Sequence, residues 1–339
     1  MAKATYLVTG ATGFVGNHVV KNLEAAGHNV VVMARHKDKV HAALPNTRAK
    51  VVYGTVTSRA DVDSLFENVK GEIIFIHVAS VVYLGTQRRQ LDHMRAVNIN
   101  GVHNVIDACK EHNCRLVYVS SVHAIPEGKK GSLITETKTF DPAAVVGHYA
   151  KTKAEASRLV QLAVFDGLDA VTVHPAGIMG PGDYSNTHLT QMIADYIAGK
   201  IPAAIKGGYD FVDVRDVADG ILLAAEKGKS GECYILSNEF ITVKDLLGTL
   251  AEITGRKPPK MMVSHFAAKM SLPFFGIAGK VKNHRPLFTL YSLYTLRSNA
   301  NFSHEKATNE LGYHPRTIRE SLKDTATELM AKTEGTPAQ

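Results

Sequence analysis

Residues 5–16, TYLVTGATGFVG, run from a β-branched, apolar stretch straight into Gly10, Gly13 and Gly16, and no other part of the chain constrains the fold as tightly. Tyr6, Leu7, Val8 and Thr9 have strand composition. Phe14 through Glu24 space their apolar residues as a helix does, so the glycines fall at a strand-to-helix turn. Gly10 permits the tight turn, Gly13 lets the backbone approach a pyrophosphate, and Gly16 allows the helix to pack closely on the strand. The free N–H groups of the helix start, around Phe14 and Val15, then face phosphate oxygens.

Further apolar runs follow at VVVMAR (30–35), FIHVAS (75–80) and LVYVSS (116–121), with amphipathic helical stretches between them. Strands alternating with helices predict an α/β chain built on a doubly wound parallel sheet.

The TGATGFVG start, the HVAS segment, the YVSS strand end, Tyr149 with Lys153, HPAGIMGPGD at 174–183 and FVDVRDVADG at 211–220 occur in one order along nearly the whole chain. Together they resemble the extended short-chain dehydrogenase/reductase superfamily with its epimerase/dehydratase members, and within it the dihydroflavonol-reductase and 3β-hydroxysteroid-dehydrogenase branch. The resemblance implies a Rossmann fold with a smaller C-terminal substrate-binding domain. It sets a dinucleotide-binding unit at residues 1–175, with 212–238 returning to it, and a substrate-binding unit at 176–339.

Tyr149 and Lys153 lie four apart in HYAKTKAEASRLVQLA, a stretch of strongly helical composition, so both project from one face. A phenol with a pKa near 10 serves as a base only where a nearby positive charge favours the phenolate; the Lys153 ammonium, with the oxidised nicotinamide, is expected to supply it. Lysine can also hold the nicotinamide ribose. Ser121 stands at the carboxyl end of its strand, where open α/β sheets place ligands, and is expected to hydrogen-bond the substrate carbonyl. Ser120 is the alternative; the resemblance favours the later serine. His123, just beyond, lines the pocket or is an ordinary loop histidine.

Cofactor choice hangs on the sequence MARHK, where Arg35 takes the place at which an NAD enzyme carries an acid for the ribose 2′-hydroxyl. A guanidinium suits a 2′-phosphate through bidentate contact, which favours NADP over NAD; stacking of Arg35 on adenine is the competing reading. The superfamily commonly has Gly-Asp near the adenine, but this chain has Gly54-Thr55, leaving adenine contacts to the Thr55 hydroxyl and the Val56 backbone. Val78, Ala79 and Ser80, and Pro175, Ala176 and Ile178 near the carboxamide, complete the cofactor contacts that the resemblance implies. His174 replaces the arginine typical of nucleotide-sugar enzymes, which counts against a sugar nucleotide as substrate.

The 339 residues carry a net charge of +7 spread along the chain, with no basic stripe interleaved with aromatics, so no nucleic-acid partner is expected. Cys109, Cys114 and Cys233 form no CxxC and leave an odd thiol, which points to reduced cysteines and a cytoplasmic location. The first apolar run is already the first strand, so it is not read as a signal peptide. HFAAKMSLPFFGIAGKV (265–281) is interrupted by Lys269, Pro273 and Lys280; it reads as a helix and turn over the pocket, or as an interfacial membrane contact, and not as a membrane span. No histidine has metal-ligand spacing, and no metal is assigned. Asp213, Arg215 and Asp216 read as a structural ion-pair and capping cluster. A homodimer or a monomer is expected.

These readings converge on an NADPH-dependent reductase of a hydrophobic or aromatic ketone or aldehyde, reversible as an alcohol dehydrogenase. The pocket is expected to be walled by Tyr83, by Tyr184 in the 182–189 loop, and by Phe266, Met270, Phe274, Phe275 and Phe288. A nucleotide-sugar epimerase or dehydratase with tightly held NAD uses the same core and is the alternative.

Overall fold

The computed structural model describes residues 4–259, 261–270 and 290–334. Phe274, Phe275 and Phe288 lie outside the described residues.

Seven parallel strands form the central sheet. They are β1 (Thr5–Thr9), β2 (Asn29–Ala34), β3 (Lys50–Tyr53), β4 (Ile73–His77), β5 (Arg115–Val119), β6 (Ala170–Pro175) and β10 (Cys233–Leu236), in the order β10-β6-β5-β4-β1-β2-β3. The chain runs outward from β1 to β3, then crosses back to start β4 on the other side of β1. The β1/β4 boundary is therefore the switch point at which open sheets of this kind form a ligand crevice.

Parallel strands covered on both faces are buried at nearly every position and rich in apolar residues, as β1, β5 and β6 are. Alternation decides which helix each residue meets. Tyr6, Val8, Val30, Val32, Ile74, Ile76, Val117 and Val119 share one core with Val19 and Leu23 of α1 (Phe14–Ala25) and with Val217 and Ile221 of α8 (Val214–Lys227). Leu7, Val31, Met33, Phe75, Leu116 and Tyr118 point the other way. They meet Val62 of α3 (Arg59–Asp63), Val105 and Ile106 of α5 (Gly101–Glu111), and Ala156 and Val160 of α6 (His148–Phe165). The short α2 (Lys37–Ala43) follows β2, and α4 (Arg88–Arg95) runs through a π turn at 96–100 into α5.

After β6 the chain leaves the main sheet. β7 (Gly177–Met179) pairs in parallel with β9 (Gly208–Asp213), which pairs antiparallel with β11 (Glu239–Thr242); β8 (Ala203–Ile205) pairs with β12 (Met261–Val263). A separate core joins α7 (His188–Ile197), α9 (Val243–Thr254) and α12 (Ile318–Glu334) through Ile193, Leu246, Leu250 and Leu322. The helices α10 (Leu290–Thr295) and α11 (Glu305–Leu311) come between. Between β9 and β11 the chain returns to the main sheet: α8 packs on α1, and β10 pairs with β6.

The Asp213–Arg215–Asp216 cluster is structural, as its composition suggests. Asp213 caps α8 by accepting the Arg215 N–H, Arg215 bridges Asp213 and Asp324 of α12, and Arg316 pairs with Asp216. Among the described residues no helix is long and apolar enough to cross a membrane.

Candidate active site

The glycine turn closes on itself without help from side chains. The Gly13 N–H donates to the Gly10 carbonyl at 2.9 Å, and Gly10 has φ +72°. A Cβ on Gly10 would come within 2.6 Å of the Ala79 nitrogen, and one on Gly16 within 2.1 Å of the Gly10 carbonyl oxygen. So β1, its turn, α1 and the segment after β4 approach each other more closely than any side chain allows. Gly13 caps α1 with no side-chain hydrogen bond, and no acid stands in the first turn. The N–H groups at Phe14, Val15 and Gly16 and the positive end of the helix dipole are therefore left for a ligand, which fits a dinucleotide pyrophosphate.

Along this crevice β4 ends at His77, and Val78, Ala79 and Ser80 form the loop beyond it; the Val78 and Ala79 N–H groups donate to Thr9. Arg35 is exposed immediately past β2. Next to it, the Thr55 N–H donates to Asp61 Oδ2 at 2.8 Å, so Asp61 brings a carboxylate beside Gly54-Thr55 from six residues downstream. The Thr55 hydroxyl bonds that of Thr57, and the Val56 carbonyl accepts from Asn104. Pro175 ends β6 beside Leu236, the Ala176 N–H donates to the Leu236 carbonyl, and Ile178 lies half-buried on β7.

Ser121, His123, Tyr149 and Lys153 come together at the carboxyl end of β5. Ser120 and Ser121 part company there. The Ser120 hydroxyl bonds Ser157 of α6 at 2.7 Å, whereas the Ser121 and Ser80 hydroxyls act on the Tyr149 phenol, lowering its pKa. Burial is the largest influence on both members of the Tyr–Lys pair. It pushes the Tyr149 phenol up to about 12, with the bonds from Ser121 and Ser80 acting the other way, and it lowers Lys153 to about 7. The Lys153 ammonium donates to the Val119 carbonyl at 2.9 Å and lies over the Tyr118 ring. Burial thus opposes the charged form of both residues.

Three further groups belong to the site. Asn98, buried in the π turn, accepts from the Ser80 hydroxyl and the Val81 N–H and donates to the Val81 carbonyl and the Thr152 hydroxyl; Thr152 in turn donates to the Tyr149 carbonyl. It ties the loop after β4 to the helix that carries Tyr149. Tyr209 of β9 and Tyr291 of α10 both reach His123. The signals were faint: Asn98 is one polar residue in VNING, and Tyr291 and Tyr294 stand three apart in YSLY.

A cavity of about 250 Å³ opens beside His123, lined also by Glu127, Tyr209, Tyr294, Ser298 and Asn299. A wider groove of about 600 Å³ shares Glu127, Tyr294, Ser298 and Asn299 with it and continues past Phe266, Lys269 and Arg297. Phe266 and Met270 are exposed. Tyr83 folds back on its own loop, its hydroxyl accepting the Gln87 N–H. Tyr184 sits between Lys21 of α1 and Lys332 of α12. His174 is buried, stacked on Phe140 and bonded to the Ser121 carbonyl, with its pKa lowered by burial to about 4, so this position presents no cation to a substrate diphosphate.

A seven-stranded parallel sheet with this glycine turn at its switch point defines the class: a Rossmann-fold, NAD(P)-dependent enzyme of the oxidoreductase type. The chain belongs to the NAD-dependent epimerase/dehydratase family, whose sequence profile matches residues 6–237. It is 31% identical over 329 residues to sterol demethylase protein B of Methylococcus capsulatus, covering 94% of this chain and 96% of the relative. A Synechocystis sp. protein provisionally named dihydroflavonol 4-reductase is 28% identical, with 94% and 92% covered. Among solved structures, gox2253 superposes with a TM-score of 0.81 at 30% identity, over 98% of this chain and 99% of that one. The likeness includes the dihydroflavonol-reductase side of the superfamily that the motifs indicate.

Proposed function

We propose that this chain is an NADPH-dependent reductase of a hydrophobic or aromatic ketone or aldehyde, and the observation that carries the reading is the gathering of Ser121, Tyr149 and Lys153 at the carboxyl end of β5, beside the crevice. We assign the dinucleotide-binding unit to residues 1–175 with 212–238, and the substrate-binding unit to the rest of 176–339. Gly10, Gly13, Phe14, Val15 and Gly16 hold the pyrophosphate, Arg35 the 2′-phosphate, Val78 to Ser80 and Pro175, Ala176 and Ile178 the nicotinamide half, and Lys153 its ribose. When bound, the nicotinamide supplies hydride.

Tyr149 gives its proton to the carbonyl oxygen while Ser121 donates a hydrogen bond to the same oxygen, so charge building there is met by fixed donors. A phenol held up near 12 is protonated at neutral pH, which suits an acid in the reduction direction. The buried, uncharged His174 favours this reading over a nucleotide-sugar epimerase, and the reductase name of one relative agrees with it.

The test begins with protein purified without added cofactor. It should be dinucleotide-free, or become so on dialysis, and reduced-nicotinamide absorbance should then fall in proportion to product formed from a panel of aromatic ketones and aldehydes. Stoichiometric, non-dialysable NAD with turnover of a nucleotide sugar and no net cofactor use would overturn the reading in favour of the epimerase.

A further inference from the structure

The His123 ring meets three tyrosines from three different elements. It stands edge-on to Tyr149, with centroids 6.1 Å apart and planes at 76°, and stacks on Tyr209 at 5.7 Å. Both of its nitrogens are engaged by phenols: Nε2 with Tyr209 at 3.3 Å and Nδ1 with Tyr291 at 3.1 Å. Burial lowers the imidazole pKa to about 4, so the ring is neutral at working pH, with one N–H and one bare nitrogen. One phenol therefore donates its proton to the ring. The other accepts the ring N–H, and its own O–H has no further partner among the described residues.

Tyr209 and His123, the latter in edge contact with Tyr149, line the cavity together with the Glu127 carboxylate, itself held by the Tyr294 hydroxyl at 2.9 Å. Tyr291 lies against Gly147, the residue before α6, where a Cβ would come within 2.2 Å of its ring. A second polar pole thus stands one aromatic contact away from Tyr149, on the wall of that cavity.

We propose that the His123–Tyr209–Tyr291 cluster binds a second oxygen of the substrate, a hydroxyl or carbonyl distinct from the one that Tyr149 protonates. The preferred substrates are then oxygenated ketones or aldehydes rather than plain hydrocarbon ones. This rests on the reductase reading for the identity of the first oxygen. A site built around a hydrogen-bonding group rejects the analogue that lacks its partner, because the group is left unpaired on binding.

The experiment measures binding by calorimetry to the enzyme saturated with oxidised NADP, using acetophenone, 2-hydroxyacetophenone and 3′- and 4′-hydroxyacetophenone. At least one hydroxylated member should bind about tenfold or more tighter than acetophenone, ~1.4 kcal/mol. Tyr209→Phe or Tyr291→Phe should reduce that ratio to below about threefold. Tyr291 lies on the peripheral α10, so its variant keeps the test open if Tyr209→Phe fails to fold. A structural role in holding α10 would move stability without moving the ratio. Equal binding across the panel, no binding by any member, or a ratio that survives in both variants overturns the inference. A preference without any NADPH-driven turnover sinks the reductase reading and leaves the second-oxygen site standing.

Discussion

At the scale of single residues, side chains named for one job are held by several neighbours. Tyr149→Phe keeps the ring between Ser121, Ser80 and His123 and removes only the hydroxyl. Turnover should fall on the order of 10² or more, with dinucleotide affinity little changed, read from steady-state kinetics and fluorescence titration. Arg35 is exposed past β2, free to meet a 2′-phosphate. NADPH should therefore bind at least about tenfold tighter than NADH, ~1.4 kcal/mol, and Arg35→Ala should remove most of that gap; equal wild-type affinities would refute the NADP assignment. Lys153 carries a pH signature. The unfolded chain takes up its proton below about 10.4, whereas the folded chain takes it up only near 7. Stability is thus lowered in full below neutral pH, and the cost fades as the pH rises towards the unfolded value. In the dinucleotide-free protein, Lys153→Met should raise the Tm most at or below neutral pH and least near pH 10, on the order of the unfolded pKa.

At the scale of elements, two glycines make opposite expectations. Gly16 in α1 has the Gly10 carbonyl oxygen where a Cβ would stand, whereas Gly248 within α9 has nothing within 4 Å of that position. Gly16→Ala should force α1 away from β1, costing about 1–3 kcal/mol and weakening dinucleotide binding with it. Gly248→Ala should stabilise by about 0.5–1 kcal/mol through lost unfolded-state entropy. Thermal denaturation of both reads the sign, and a stabilising Gly16→Ala would mean that the turn is not packed this tightly. The strand-to-helix turn was legible because its glycines, strand and helix are contiguous. Asn98 was not, because what singles it out is Ser80, Val81 and Thr152, which reach it from other elements.

At the scale of the molecule, one set of ties between the main sheet and the C-terminal elements lies at the start of α8 and the 180–187 loop. Asp213 is fully buried and bound by Arg215, which also reaches Asp324 of α12. The Gly182 N–H donates to Glu328 of the same helix, while Asn17 and His18 of α1 meet the Gly182 and Pro181 carbonyls. Burial pushes the Asp213 carboxyl up, but the hydrogen bonds from Arg215 and Ser321 together hold it below its ordinary value. Its contribution is therefore present above the usual carboxylate range and is lost as the pH falls through it and below. Asp213→Ala should cost about 3–5 kcal/mol in denaturant unfolding, since it leaves Arg215 without its main partner and α8 without its cap. A loss of under half a kcal/mol, on the order expected of a surface pair, would show that the cluster does not join the two parts.

The sequence by itself determined the class of fold and the line of the crevice, because a doubly wound sheet follows from local patterns. Those are apolar runs of strand length, helical spacing between them, and glycines at one turn. It also supplied Ser121, Tyr149, Lys153 and Arg35 as candidates, since each lies in or beside a contiguous motif. Only the tertiary structure separated Ser120 from Ser121, by turning the first toward Ser157. It alone brought Asp61 beside Thr55, and Tyr209 and Tyr291 onto His123 from 86 and 168 residues away. Burial and long-range hydrogen bonding depend on which elements cover a residue, and no local spacing in a chain encodes that.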